Sequence, residues 1–105
     1  IIAVGVLNNV ININFTLNNL NQILSDDGII IIVEPVNEHI EINVTQAFLM
    51  PIHMDSRRNS NNCFFTIEEW KEVFKKNNFY LLSSKPSAES WFSLFEQKLF
   101  IIKKG

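Results

Sequence analysis

Two histidines and one aspartate are the first side chains in this sequence whose chemistry could make a site. His39, His53 and Asp55 are possible metal ligands, because imidazole nitrogens and carboxylate oxygens bind Zn²⁺. Their spacing does not repeat the short intervals of a ligand cluster, and the single Cys63 provides no pair of thiolates. The pattern therefore favours exposed loop histidines over a metal centre.

Several common catalytic patterns are missing from the sequence. There is no Ser-His-Asp triad, no Walker loop and no pair of acids placed as in a glycosidase. The chain has three glycines and no G-x-G-x-x-G loop that could hold a dinucleotide. Asp55, Arg57 and Arg58 lie in a polar stretch, residues 51–63, which is rich in Asn, Ser and Arg and is simplest to interpret as a solvated charged loop.

Composition predicts one small domain, residues 1–105, with a single core. The chain is 47% hydrophobic, carries a net charge of −2 and has one cysteine. The absence of a basic stripe argues against nucleic acid, and no apolar run approaches the roughly 18 residues of a membrane span. A lone cysteine fits a reducing, cytoplasmic location. Because the chain does not start with Met, we expect it to be a piece of a longer protein.

Strand, helix and strand follow one another in the first third of the chain. Residues 1–7 are continuously apolar, as in a strand of a parallel sheet, and residues 14–25 have helical spacing. Residues 29–34, four isoleucines, a valine and a glutamate, predict a central parallel strand. Together these elements predict a parallel βαβ unit.

The rest of the chain predicts two helices and two strands. A helix is expected over residues 38–50, and Thr66 to Glu69 has the pattern of a capping box that begins a further helix. Residues 79–84 and 91–103 read as strands that form an antiparallel pair at the end of the sheet. Helical or strand spacing assigns four aromatic residues to the core: Trp70, Phe74, Phe79 and Tyr80.

Short motifs in this order resemble the C-terminal half of a class I S-adenosylmethionine (SAM)-dependent methyltransferase domain, of the type embedded in polyketide and nonribosomal-peptide synthases. Residues 2–9 (Ile-Ala-Val-Gly-Val-Leu-Asn-Asn) are similar to the family's fourth strand, and residues 17–28 to the helix and turn that follow. Residues 30–35 are similar to its fifth strand, which commonly ends in Glu. Residues 55–70 resemble its D-x-R and F-x-x-x-x-W stretch, and residues 97–100 match the start of its last strand.

The resemblance implies a fold class and a cofactor. The fold is α/β, a partial Rossmann-like methyltransferase sheet: two parallel strands with a crossover helix, then helices and a C-terminal antiparallel pair. The cofactor is SAM in the full-length parent, with contacts in this chain at Gly5, Val6 and Leu7. The family's glycine-rich loop precedes the fourth strand and so is absent from this sequence, which predicts that the isolated chain is inactive.

The resemblance also assigns catalytic positions. In many carbon-methylating synthase domains a His after the fourth strand and a Glu ending the fifth form a dyad that deprotonates the substrate carbon. Glu34 matches the second position, but Asn8 occupies the first, and an amide cannot act as a base. Carbon methylation by this dyad is therefore disfavoured, and methylation of nitrogen or oxygen, or no catalysis, becomes the expectation.

Substrate contacts and partners follow from the same resemblance. Asn9, Asp55 and Arg57 are expected at the substrate or its lid, where Arg57 would hold a carboxylate or a phosphopantetheine arm. The expected partners are a carrier-protein-tethered acyl or peptidyl substrate and the rest of a larger synthase. Self-association through the strand at residues 1–7 is also expected, because its apolar edge would be unpaired.

Two alternatives remain open at this point. The chain could be a non-catalytic pseudo-methyltransferase that serves as a structural or interaction module, as the missing cofactor half and Asn8 would suggest. It could also be a small α/β domain unrelated to methyltransferases.

Overall fold

A mixed four-stranded sheet organises the residues described by the computed structural model, which are 1–36, 52–60, 64–86 and 97–105. The strands are β1 (Ile2–Val4), β2 (Ile29–Pro35), β3 (Phe79–Lys85) and β4 (Gln97–Lys104), in the order β1-β2-β4-β3. β1 and β2 are parallel, and β4 is antiparallel to both of its neighbours. The predicted α/β class is confirmed, with a parallel pair followed by a C-terminal antiparallel pair.

The predicted antiparallel pair lies at the end of the sheet, with β4 between β2 and β3 and with β3 at the edge. Phe100 and Ile102 of β4 are fully buried, whereas Tyr80 and Leu82 of β3 are 62% and 52% exposed. The strand with the more deeply buried residues therefore occupies the interior, and the strand with a half-solvated face forms the edge.

The first strand is shorter than the predicted span of residues 1–7. Gly5 adopts a φ of 64°, which ends β1 at the preceding residue. A 3₁₀ turn at Leu7–Asn9 follows and turns the chain away from the sheet. This early end places residues 5–9 in a loop beside the end of β2 rather than in the sheet.

Three helices lie in the described residues: α1 (Ile13–Ile23), the short α2 (Arg57–Ser60) and α3 (Ile67–Lys76). The Asn12 side chain caps α1 by accepting hydrogen bonds from the Asn14 and Phe15 amides. The predicted capping box of α3 is present with both of its hydrogen bonds, from Glu69 N to Thr66 Oγ1 and from Thr66 N to Glu69 Oε1. The predicted helix at residues 38–50 and the start of the strand at 91–103 lie outside the described residues.

The described core lies against one face of the sheet. Strand residues Ala3, Ile30, Ile32, Phe100 and Ile102 pack with the apolar sides of α1 and α3. Trp70 stacks on Phe74 and meets Phe65 edge-on, so the aromatic part of the core prediction holds except for Tyr80. None of the helices in the described ranges is long and apolar enough to cross a membrane.

Candidate active site

Asn8 and Glu34 meet where β1 and β2 end. The Asn8 Nδ2 group donates to Glu34 Oε2 at 3.1 Å and to the Pro35 carbonyl oxygen at 3.3 Å. Both side chains are almost fully buried, at 2% and 1% exposure. The two positions that the resemblance made catalytic therefore touch, across 26 residues of sequence, at the carboxyl edge of the parallel strands.

The Glu34 carboxylate also anchors the loop after β1. Its Oε1 accepts a 2.6 Å hydrogen bond from the Leu7 amide. Burial raises the pKa of Glu34 above its ordinary value, and the amides of residues 6–8 with the Asn8 side chain oppose that rise in part. A carboxyl group with a raised pKa can hold or release a proton closer to neutrality than an exposed one.

The three predicted cofactor contacts differ in their surroundings. Gly5 is exposed, and the space where a Cβ would lie is open. Val6 is half exposed, while Leu7 is buried at 3% exposure and its amide is already bonded to Glu34. Gly5 and Val6 are accessible to a ligand, whereas Leu7 belongs to the core.

A small cavity adjoins the Asn8–Glu34 pair. It has a volume of about 130 Å³, and the predicted residues Gly5, Asn8, Asn9 and Glu34 line it. Sequence reasoning assigned no site role to its further walls, which are Val4, Val33, Pro35, Phe64 and Gln97. A second cavity of about 760 Å³, between α3 and the start of β3, is lined by none of the predicted site residues.

Asp55 and Arg57 form a buried ion pair, with both side chains at 0% exposure. The guanidinium donates to both Asp55 carboxylate oxygens, to the Asn8 carbonyl oxygen at 2.6 Å and to the Val10 carbonyl oxygen at 2.9 Å. Asp55 Oδ2 also accepts from the Ile13 amide at the start of α1. The interpretation of this stretch as a solvated loop is thus wrong for these two residues, which clamp the segment that carries Asn8.

Electrostatics and an aromatic ring reinforce the clamp. Burial alone would raise the pKa of Asp55, but hydrogen bonds from Arg57 and the Ile13 amide outweigh it and hold that pKa below its ordinary value. The Arg57 guanidinium lies 4.5 Å from the centre of the Phe65 ring, a cation–π contact that the sequence did not reveal. Arg58, by contrast, is exposed.

His53 is buried at 9% exposure, so its assignment to an exposed loop is wrong. Its Nδ1 lies 3.1 Å from the Val10 carbonyl oxygen, the same oxygen that Arg57 binds. Burial and the positive charge of Arg57 lower the pKa of His53. Within the described residues, no group of three or more His, Cys, Asp or Glu side chains could hold a metal ion. His39 lies outside the described residues.

Solved structures with the same fold include the CurJ carbon methyltransferase, with a TM-score of 0.85 at 19% identity over 99% of this chain. The CMeT domain of the citrinin polyketide synthase gives 0.80 at 16% identity over 97%, and LaPhzM gives 0.62 at 16% identity over 99%. The chain spans 28%, 26% and 29% of the lengths of these three proteins, respectively. At these identities the likeness establishes the fold.

Family membership follows from the sequence as well. The comparison with curated proteins gave no match. A family model described as "Methyltransferase domain" matches residues 1–84, most of the chain and all of the segments that build the Asn8–Glu34 contact and the Asp55–Arg57 clamp. The chain therefore belongs to the methyltransferase domain family.

Proposed function

We propose that this chain supplies the acceptor side of a methyltransferase active site, in an enzyme that moves a methyl group from SAM to a nucleophile. The observation that carries the proposal is the buried contact between Asn8 and Glu34 beside a cavity at the carboxyl edge of β1 and β2. Sheets of this kind bind ligands at that edge. Membership of the methyltransferase domain family supports the reaction class.

The residues present fit one wall of a cofactor site. Gly5 leaves open space beside its backbone, and Val6 is half exposed next to it. The cavity of about 130 Å³ is smaller than the roughly 300–1,000 Å³ of typical small-molecule sites. Gly5 and Val6 would therefore contact part of the cofactor, and further parts of a longer enzyme would enclose the rest.

The chain's own residues then act by orientation. When bound, the cofactor supplies an electrophilic methyl group on a sulfonium centre. Glu34 fixes both the Leu7 amide and the Asn8 side chain, and Arg57 holds the Asn8 carbonyl from the other side. Holding an acceptor in line with a methyl group can account for much of such a rate enhancement. Asn8 has no basic group, so the Asn8–Glu34 pair cannot remove a proton in the way that an imidazole base would.

A carrier-tethered acyl or peptidyl intermediate is the substrate that we propose for the full enzyme. Two observations support it: the resemblance of residues 55–70 to synthase-embedded domains, and the shared fold with a methyltransferase domain of a polyketide synthase. In this proposal Asn9, which is exposed and lines the cavity, contacts the tethered substrate, and Asp55 and Arg57 support that wall from inside.

The test is a titration of S-adenosylhomocysteine into the ¹⁵N-labelled 105-residue chain, followed by NMR. We expect weak binding that perturbs the amides of Gly5 and Val6, and loss of that effect in Gly5→Val, which fills the open space and strains a positive φ. Tyr80→Ala, in the larger cavity, which shares no lining residue with the smaller one, is the control and should leave binding unchanged. Perturbation at the larger cavity, or none at all, would contradict the proposal.

A non-catalytic interaction module is the second candidate, and one observation favours it. Both oxygens of Glu34 are already hydrogen-bonded within the protein, as in a purely structural anchor. If S-adenosylhomocysteine does not perturb the Gly5 and Val6 amides in any form of the protein, the chain has the methyltransferase fold and the structural role of Glu34 but does not take part in methyl transfer.

A further inference from the structure

The orientation of the Asn8 amide is fixed by its partners. Its Nδ2 faces two acceptors, Glu34 Oε2 and the Pro35 carbonyl oxygen. Turning the amide by 180° would place Oδ1 against the Pro35 carbonyl oxygen, which can only accept a hydrogen bond, and would take Nδ2 away from both of its acceptors. The nitrogen is therefore committed to the protein, and Oδ1 is the end that remains.

Asn8 Oδ1 is a buried acceptor with no hydrogen-bond partner among the described residues. Such groups are rare in folded proteins, because a buried polar atom without a partner loses its bonds to water and gains none in return. An unpaired atom of this kind, in a residue that lines a cavity, has the chemistry of a ligand contact.

The adjoining cavity is suited to a small group. A volume of about 130 Å³ is well below the roughly 300–1,000 Å³ of typical small-molecule sites, so it suits one small group of a ligand. Less than 1 Å² of Asn8 Oδ1 is accessible to water, so a wall must shift before a ligand can reach it. Asn9, which lines the same cavity, has an exposed side chain with one hydrogen bond in the described part of the chain, 3.4 Å to the Gly5 carbonyl oxygen.

We infer that the methyl acceptor of this site carries an N–H or O–H group, which donates a hydrogen bond to Asn8 Oδ1. The inference rests on the proposed function, in which the acceptor binds in this cavity. A nitrogen or oxygen nucleophile can donate a hydrogen bond to Oδ1 while a lone pair points elsewhere, towards a methyl donor. When its bond to the methyl carbon forms and the bond from that carbon to the sulfonium sulfur breaks, its proton passes to solvent, because Asn8 is not a base. The reacting atom of a carbon acceptor has only C–H groups, which are much weaker donors and would leave Oδ1 poorly paired. The substrate class is therefore an amine or an alcohol.

Two pairs of small probes of equal size test the inference on the 105-residue chain. N-methylacetamide and methyl acetate differ in one N–H, and hydroxyacetone and butanone differ in one O–H. Binding is followed by the ¹³Cγ and side-chain ¹⁵N signals of Asn8, at probe concentrations on the order of millimolar. We expect at least one donor to bind about fivefold more tightly than its partner. The pair that shows the difference identifies nitrogen or oxygen.

Two variants assign any preference to its atom. Asn8→Leu removes Oδ1 and should abolish the preference, while Gln97→Leu, at an exposed position that lines the same cavity, should retain it. Equal binding of both members of each pair, no binding by any probe, or a preference that survives Asn8→Leu would each overturn the inference. If Asn8→Leu does not fold, the comparison of probes on the unmodified chain decides.

The result can be separated from that of the proposed function. S-adenosylhomocysteine is titrated into the same sample. Perturbation of Gly5 and Val6 without a donor preference would overturn this inference and leave the proposed function standing. A donor preference without any effect of S-adenosylhomocysteine would support the acceptor at Asn8 and count against the methyltransferase proposal.

Discussion

The guanidinium of Arg57 donates a 2.6 Å hydrogen bond to the backbone carbonyl oxygen of Asn8, a residue 49 positions earlier in the chain. The same guanidinium pairs with Asp55, whose carboxylate accepts from the first amide of α1. Through this clamp, the loop that carries Asn8 is held against a segment far away in sequence. The position of a candidate catalytic residue thus depends on a buried charge pair.

Replacing Arg57 should cost much more stability than replacing its neighbour. Arg57→Leu leaves Asp55 buried without its cation, and we expect a loss of about 3–5 kcal/mol in the free energy of unfolding. Arg58→Leu, at an exposed position, should stay within about 0.5 kcal/mol. Urea unfolding of both variants measures the difference. Equal losses would mean that the clamp contributes little.

Glu34→Gln should weaken the anchor of the loop and change the pH dependence of stability. The substituted side chain has an NH₂ group, which would face the N–H donor of either Leu7 or Asn8. We expect a loss of about 1–3 kcal/mol in the free energy of unfolding. The pKa of Glu34 is raised in the folded state, so the folded protein holds this proton more tightly than the unfolded chain. Its contribution is therefore largest below the ordinary pKa and is lost as pH rises through the folded value.

Urea unfolding from pH 4 to 8 compares Glu34→Gln with the unmodified chain. The stability advantage of the unmodified chain should shrink as pH rises across this window. Two curves that run parallel over the whole range would show that the carboxyl group titrates alike in the folded and unfolded states.

His53 should make the protein less stable as the solution becomes mildly acidic. Its pKa is lowered in the folded state by burial and by Arg57, so protonation favours the unfolded chain. Stability should fall as pH drops from about 7.5 through the ordinary histidine pKa of about 6.5. Asp55 contributes no slope there, because its stabilising effect is lost only in stronger acid.

Two substitutions locate this pH effect. His53→Gln should remove the loss of stability on acidification from pH 7.5 to 5.5 in thermal unfolding, which leaves the opposite trend expected from Glu34. His39→Gln, which replaces the chain's other histidine, should retain that loss. A slope that disappears in both variants, or in neither, would assign the titration to some other group.

The outer edge of β1, which pairs with no further strand in the described ranges, should promote self-association. Ile2 and Val4 of this edge strand are 73% and 59% exposed. We expect the weight-average mass in sedimentation to rise with concentration, and Ile2→Lys to reduce that rise by placing a charge at the edge. Ile23→Lys, at an equally exposed position at the end of α1, is the matched control. A monomer at all concentrations would refute the expectation.

Local sequence signals predicted the local structure well. The capping box from Thr66 to Glu69 was found with both hydrogen bonds, because its partners lie three residues apart. Asn78 adopts the left-handed conformation after α3, with a φ of 62°, which Asn tolerates better than most residues at the end of a helix. The early end of β1 was missed, because a single glycine with a positive φ does not interrupt an apolar run in the sequence.

Features that depend on distant partners were harder to predict. The sequence alone assigns Asp55 and Arg57 to a solvated loop. It does not show that Arg57 binds the carbonyl oxygens of residues 8 and 10, which lie far away along the chain. The burial of His53 also depends on a distant partner, since its ring lies against the carbonyl oxygen of Val10. The contact of Asn8 with Glu34 could be anticipated from the sequence, because the resemblance placed both residues at the ends of adjacent strands.

The clamp around Arg57 also determines how this part of the molecule opens. The Arg57 guanidinium and the Asp55 carboxylate bind the backbone at residues 8, 10 and 13, and His53 lies against the same backbone at residue 10. The segments 8–13 and 53–57 therefore cannot separate unless these bonds break. The two therefore form one cooperative unit of local unfolding, in which protection of the amides from hydrogen exchange is gained or lost together. Asn8 is held in place whenever that unit is closed, and the candidate site is present or absent as a whole.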